Sequence, residues 1–214
     1  MSAFHRAIGK FWIWSSKGRH VAGWSMTPEE CVSFFKSLGK MVLTICGYSI
    51  GYQNKDEMVR GVIQTLEAYQ PDQTLINVGA TRGGIGEAYP IVKALGFTTA
   101  GIVTTKVFEY PRELSREVDY FCFIEDKQWG GKLPSSNELS PTSKAMVMCS
   151  DILVAIGGGD IVRDELLTGK ALGKPIRYFP AEMNHDAAIR RAKYMNLARP
   201  ESFMGSAHEM FGGK

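Results

Sequence analysis

The chain has 214 residues, 44% hydrophobic and 22% charged. That is globular usage, about one large domain with an extension, and it excludes a disordered or fibrous protein. The 25 basic residues exceed the 22 acidic ones by only 3, too few to argue for nucleic acid by themselves. No stretch reaches about 18 consecutive apolar residues, and the N-terminus lacks the apolar region of a secretory signal. A cytoplasmic protein with no membrane partner is therefore expected.

Residues 1–40 hold Arg6, Lys10, Lys17, Arg19, Lys36 and Lys40 against Glu29 and Glu30, together with Trp12, Trp14 and Trp24. Basic and aromatic residues together can bind single-stranded nucleic acid. These cations do not cluster, so the segment reads as an extension that packs its aromatics on the main domain or on a neighbouring subunit. A nucleic-acid partner is not expected.

From Met41 the pattern is regular. Val42–Cys46 is a short apolar run ending at Gly47, hence a buried strand, and Lys55–Tyr69 has apolar residues at helical spacing. Thr74–Val78 is the next strand, followed by a glycine-rich turn and a helix near Ile85–Leu95. Strands follow at Thr98–Thr104 and Tyr120–Ile124, with a short helical piece near Arg112–Arg116 between them. Ser143–Cys149 reads as a helix, Ile152–Ile156 as a strand, Ile161–Leu172 as a helix, Pro175–Phe179 as a strand and Asp186–Leu197 as a closing helix. Such alternation predicts an α/β fold over residues 41–200, a Rossmann-like three-layer sandwich with a mostly parallel sheet. Residues 201–214 read as a C-terminal tail. The connection Glu125–Thr142 is long enough for either a lid or a disordered loop, and sequence leaves the two open.

The four cysteines (Cys31, Cys46, Cys122, Cys149) and four histidines (His5, His20, His185, His208) are scattered. Zinc sites need short paired spacings and disulfide scaffolds a denser count. No metal and no cofactor are expected, and cysteines beside apolar runs read as buried thiols.

Three loops leave predicted strands with small residues. The first contains Gly47 and Ser49. The second contains Gly79, Thr81, Arg82, Gly83, Gly84 and Gly86. The third contains Gly157, Gly158 and Gly159, with Asp160, Arg163 and Glu165 following. Glycine lets a ligand approach the backbone, and the next helix offers free N–H groups to an anion. Each loop alone is equally a tight turn. Together, on one edge of a doubly wound sheet, they point to a nucleotide or sugar-phosphate ligand. None fits G-x-x-x-x-G-K-[ST], and the second fails G-x-G-x-x-G in register.

In this order the loops resemble the Lonely Guy family of nucleotide phosphoribohydrolases and its wider superfamily, which includes molybdenum-cofactor carrier and DNA-processing A proteins. Cys46-Gly47-Tyr48-Ser49 is similar to the family's C-G-S-S, and Gly79 through Gly86 to its G-G-G-x-x-G-L-M-G loop, with Val78 and Ala80 departing. Asp151–Leu166 resembles A-D-A-F-I-A-L-P-G-G-x-G-T-x-x-E-L, which places Gly158, Gly159 and Glu165 on the motif. The resemblance implies a homodimer or higher homo-oligomer that splits the N-glycosidic bond of a nucleoside 5′-monophosphate. Loop glycines would hold the phosphate, and Glu165 would act at the anomeric carbon or on the attacking water. A carboxylate there stabilises developing oxocarbenium charge.

The departures bear on catalysis more than on binding. Ile161-Val162 replaces the family's Gly-Thr. Asp160 either caps the helix or takes ribose hydroxyls. The family's essential Arg is absent, with Lys144 near its place and Arg82 or Arg163 as substitutes. A non-catalytic nucleotide sensor or carrier is therefore the alternative. A second likeness, in Asp160, Glu165, Gly169, Ala171 and Gly173-Lys174-Pro175, is to nucleoside 2-deoxyribosyltransferases, in which the glutamate is the nucleophile, although the Asp160–Glu165 spacing is one residue short.

Overall fold

The computed structural model describes residues 10–16 and 19–213. Eight strands form one sheet: β1 (Lys10–Ser16), β2 (Arg19–Met26), β3 (Met41–Gly47), β4 (Thr74–Val78), β5 (Thr98–Thr104), β6 (Tyr120–Ile124), β7 (Ile152–Ile156) and β8 (Ile176–Phe179). Their spatial order is β1-β2-β6-β5-β4-β3-β7-β8. Only β1 runs antiparallel, against β2; the other seven are parallel.

Parallel strands covered on both faces must be apolar on both. Accordingly every residue of β4 is buried, as is all of β3 between its two ends. Helices α2 (Lys55–Leu66) and α3 (Ala88–Ala94) pack Met58, Val62, Tyr89 and Val92 on one face. On the other lie α1 (Pro28–Ser37), α4 (Pro141–Cys149) and α5 (Asp160–Ala171), through Phe34, Phe35, Met146, Val147 and Leu166. The fold is thus the expected α/β three-layer sandwich of Rossmann type. Among the described residues no helix is long and apolar enough to cross a membrane.

The sheet continues through the boundary expected at residue 40. The segment read as an extension supplies β1, β2 and α1, and β2 pairs with β6 from Gly23↔Phe121 to Met26↔Ile124. Helix α1 starts on a reciprocal cap: Thr27 Oγ accepts the Glu30 N–H, and the Glu30 carboxylate accepts the Thr27 N–H. Residues 1–9 and the side chains of 10–22, on which part of the arm expectation falls, lie outside the described residues. Beyond α6 (His185–Tyr194), the expected tail carries α7 (Ser206–Phe211), whose Ala207 is fully buried.

The chain lays down β3, β4, β5 and β6 in one direction, then returns to the far side of β3 for β7. The topological switch point therefore lies at β3, where ligands enter sheets of this kind. Strands β4, β3 and β7 are neighbours, so the three glycine loops leave one edge side by side, about 5 Å per strand apart.

Candidate functional site

The crevice between β3 and β7 is filled by the chain itself. Tyr48 turns inward, with its hydroxyl against the carbonyl oxygens of Ala181 and Met204. Tyr52 donates its hydroxyl to the Ile156 carbonyl at 2.9 Å and accepts the Tyr48 N–H at 3.2 Å. The C-terminal segment closes over them: Ala207 N–H donates to the Gly158 carbonyl at 3.1 Å, and Gly205 lies against that same oxygen.

The glycines accordingly divide into two groups. A Cβ on Gly47 would strike the Tyr52 hydroxyl, on Gly157 the Tyr48 ring, and on Gly158 the Val162 side chain. On Gly84, which is also left-handed at φ +59°, it would strike the Tyr48 carbonyl, and on Gly86 the Thr81 carbonyl. These five serve close packing within and between the loops. By contrast, nothing lies within 4 Å of a Cβ on Gly79 or Gly159, and the nearest atom to one on Gly83 is Ser49 O at 3.9 Å. Ser49 is exposed. The half-buried Thr81 donates its N–H back to the Gly79 carbonyl at 2.7 Å. The Arg82 side chain is 63% exposed, with Glu113 at 3.6 Å. Gly79, Gly83, Gly159, Ser49 and Arg82 are the members of the expected set that front open space.

Glu165 is not on a solvated helix face. It lies inside, 4% exposed, between α5, α4 and β3. Its Oε1 accepts the Ser143 hydroxyl at 2.6 Å, its Oε2 faces Cys46 Sγ at 3.6 Å, and Ser143 Oγ in turn accepts the Gly131 N–H at 2.7 Å. Burial pushes the Glu165 carboxyl up to about 7, with the Asp164 charge adding to it and the Ser143 and Cys46 bonds opposing. Burial, then the Glu165 charge, drives the Cys46 thiol well above its usual range.

The segment 125–140, whose length left lid or disorder open, seals this group. Lys132 and Leu139 form a bridge, and Ser140 N–H donates to the Gly131 carbonyl at 2.7 Å. Gly130 and Gly131 pack on Ile161, and Asp126 accepts the Thr142 N–H at the start of α4.

Three charged candidates are engaged elsewhere. Asp160 accepts from Arg163 at 2.8 Å and from the Ser206 hydroxyl at 2.7 Å, so it neither caps α5 nor stands free. Arg163 is held by Asp160 and Asp164 together. Lys144 does not replace the missing arginine. It faces out and pairs with Glu29 on α1 at 2.7 Å. On a helix each step turns about 100°, and it is Ser143 that faces Glu165. The expected set lacked Ser143, Cys46, Tyr48 and the C-terminal segment, although Cys46 and Tyr48 stand in the stretch similar to C-G-S-S and Ser143 adjoins Lys144.

An open cavity of about 530 Å³ lies off the glycine loops, at the carboxyl ends of β2, β5 and β6, lined by Ser25, Thr105, Phe108, Glu125, Asp126 and Lys127. Both Asp126 carboxylate oxygens are taken by backbone N–H groups, of Gln128 and Thr142. None of its lining residues belongs to the loops that carry the open Gly79, Gly83 and Gly159 and the exposed Arg82 guanidinium. Among the described residues no three His, Cys, Asp or Glu side chains are placed to hold a metal.

The fold is that of a doubly wound α/β protein, with open glycines at its carboxyl edge. No family model matches the chain, and no curated protein matches it in sequence. Among solved structures it is similar to the molybdenum cofactor carrier protein of Chlamydomonas reinhardtii, at 20% identity over 65% of this chain and 76% of that one, with a TM-score of 0.48. It is also similar to the molybdenum cofactor binding protein of the phototrophic bacterium Rippkaea orientalis, at 17% identity over 73% and 85%, with a TM-score of 0.45.

Proposed function

We propose that this protein binds a phosphorylated small ligand of nucleotide type at the glycine edge and releases it unchanged, as a carrier or sensor. The observation carrying this reading is the burial of Glu165. The glutamate to which the hydrolase-like motif gives the chemistry is 4% exposed, with both oxygens engaged, beneath Gly130 and Gly131. A group that acts at an anomeric carbon needs to reach it within hydrogen-bond distance. Open backbone at Gly79, Gly83 and Gly159, beside the Arg82 guanidinium, supports binding without needing that carboxylate.

A second reading, cleavage or transfer at an N-glycosidic bond, rests on one observation. A carboxyl titrating at about 7 suits a general acid at neutral pH. It requires the 125–140 segment to lift away from Ser143.

The deciding experiment is a thermal-shift panel of nucleoside mono-, di- and triphosphates, ribose 5-phosphate and the molybdenum cofactor for which the two solved proteins are named. Each hit is then incubated and assayed for free base. A ligand at about 100 times its dissociation constant adds roughly 2.7 kcal/mol of stability. Carriage predicts a shift with the ligand intact, and the same affinity in Glu165→Gln. Base release that Glu165→Gln abolishes would overturn carriage in favour of cleavage.

A further inference from the structure

The surface formed by the end of α6 and the turn after it has no role in the glycine edge. From Arg190 to Arg199 every residue is exposed except Ala192. Four of them are cations, Arg190, Arg191, Lys193 and Arg199, with no acidic residue among them. Among the described residues, none of the four takes part in an ion pair. Between them stand three large apolar side chains: Tyr194 at 92% exposure, Leu197 at 62% and Met195 at 52%.

Local structure fixes this arrangement. Helix α6 docks through the small residues Ala188 and Ala192, which leaves its long side chains outside. Asn196 adopts a left-handed conformation, φ +54°, and the Leu197 N–H returns to the Ala192 carbonyl at 2.8 Å. That is a helix-stopping turn. It folds Leu197 and Arg199 back beside α6, where Ile189, Ala192, Lys193, Asn196, Leu197 and Arg199 line an open cavity of about 250 Å³. Half of its lining residues are apolar and two are cations.

The helix dipole rewards a cation in the last turn, which accounts for Arg191 and Lys193. It does not account for Arg199, which lies beyond the helix, or for three exposed apolar side chains interleaved with charge. A second copy of the chain is a poor occupant, because a two-fold contact would press four cations against four. A nucleic-acid strand would ask for several stacking rings, and Tyr194 is the only one here. An amphipathic surface whose cations meet anionic headgroups while a tyrosine and aliphatic side chains enter the interface is the mode of a peripheral lipid-binding helix.

We propose that residues 190–199 form a docking site for an anionic phospholipid bilayer, with a headgroup phosphate in the pocket between Lys193 and Arg199, and Tyr194, Met195 and Leu197 in the interface.

The test is co-sedimentation of the full-length protein with vesicles of phosphatidylcholine alone and with vesicles about a third phosphatidylserine. Binding to the anionic vesicles alone, weakening as salt rises, is the expected result. Lys193→Glu with Arg199→Glu should abolish it, since each cation near the surface contributes about fivefold. Tyr194→Ser with Leu197→Ser should weaken it while leaving its salt dependence. All four side chains are at least partly in solvent, so unchanged melting temperatures check that the variants fold. Equal binding to both vesicle types, or none, overturns the proposal. So does capture by inorganic phosphate without vesicles, retention on single-stranded RNA that vesicles do not compete, or a dimer that shields Tyr194 and Leu197.

Discussion

A carboxyl group sealed beneath a loop titrates into the folding equilibrium, and Glu165 is such a group. Its ordinary value is 4.5 and burial raises it to about 7. The folded state therefore holds this proton more tightly than the unfolded chain does. Glu165 supports folding fully below about pH 4.5, and its contribution is lost as pH rises through about 7, to the extent of about 3 kcal/mol. Glutamine keeps the shape and a partner for the Ser143 hydroxyl but does not titrate. Denaturant melts of both proteins at several pH values should show Glu165→Gln gaining on the parent between pH 5 and 8. A constant difference across that range would mean that the carboxyl is not held in the low-dielectric site described.

At the scale of elements, strands β3 to β7 were legible because each is a short, mostly apolar or β-branched run, the signature of a strand buried on both faces, and the half-buried edge strand β8 was legible from Pro175 before it and the run to Phe179. Strands β1 and β2 were not. Their aromatic and basic residues hide the period; β1 pairs with the adjacent β2, but β2 joins the sheet through β6, about a hundred residues away, a pairing that no local rule gives. Helix α1 did carry a local signal in Thr27-Pro28-Glu29-Glu30, a capping box with proline at its first position. At the site, the loop glycines were visible, but their division into packing and open positions was not. That division depends on where the folded loops place the Tyr48 and Tyr52 rings, the Val162 side chain and the Thr81 carbonyl, which loop composition does not tell. The C-terminal segment is held by a few separable contacts, among them the Ser206 hydroxyl on Asp160 and the Phe203 ring stacked on His185 at 3.9 Å. Ser206→Ala should therefore raise amide exchange over 203–208 selectively and cost the whole fold only about 1 kcal/mol. A uniform rise throughout the sheet would mean that the segment unfolds only with the molecule.

For the whole molecule, what matters is which part of the carboxyl edge remains open. The loop after β7 is covered by Tyr48 and the C-terminal segment, and the loop after β6 is folded down on Ser143 and Glu165. The loop after β4 is not covered at Gly79 and Gly83, where Arg82 supplies an exposed cation, and Gly159 is the open position at the start of α5. On the proposed function, an anionic ligand at this edge would depend on Arg82, through a charge-assisted bond worth about 1.5–3 kcal/mol, and not on Lys144, which is paired with Glu29 on α1. Arg82→Ala should thus weaken nucleotide binding about tenfold or more, with Lys144→Ala close to the parent. The glycines supply an orthogonal pair. Gly159→Ala has room for its methyl group and an ordinary backbone, so it should keep the melting temperature while intruding on the ligand. Gly84→Ala meets the Tyr48 carbonyl at a left-handed φ and should destabilise the fold by more than about 1 kcal/mol. Calorimetric titration and thermal melts of the four variants separate the cases. Equal losses from Arg82→Ala and Lys144→Ala would indicate attraction by overall charge and not a site, and full affinity in both Arg82→Ala and Gly159→Ala would move the ligand off this edge altogether.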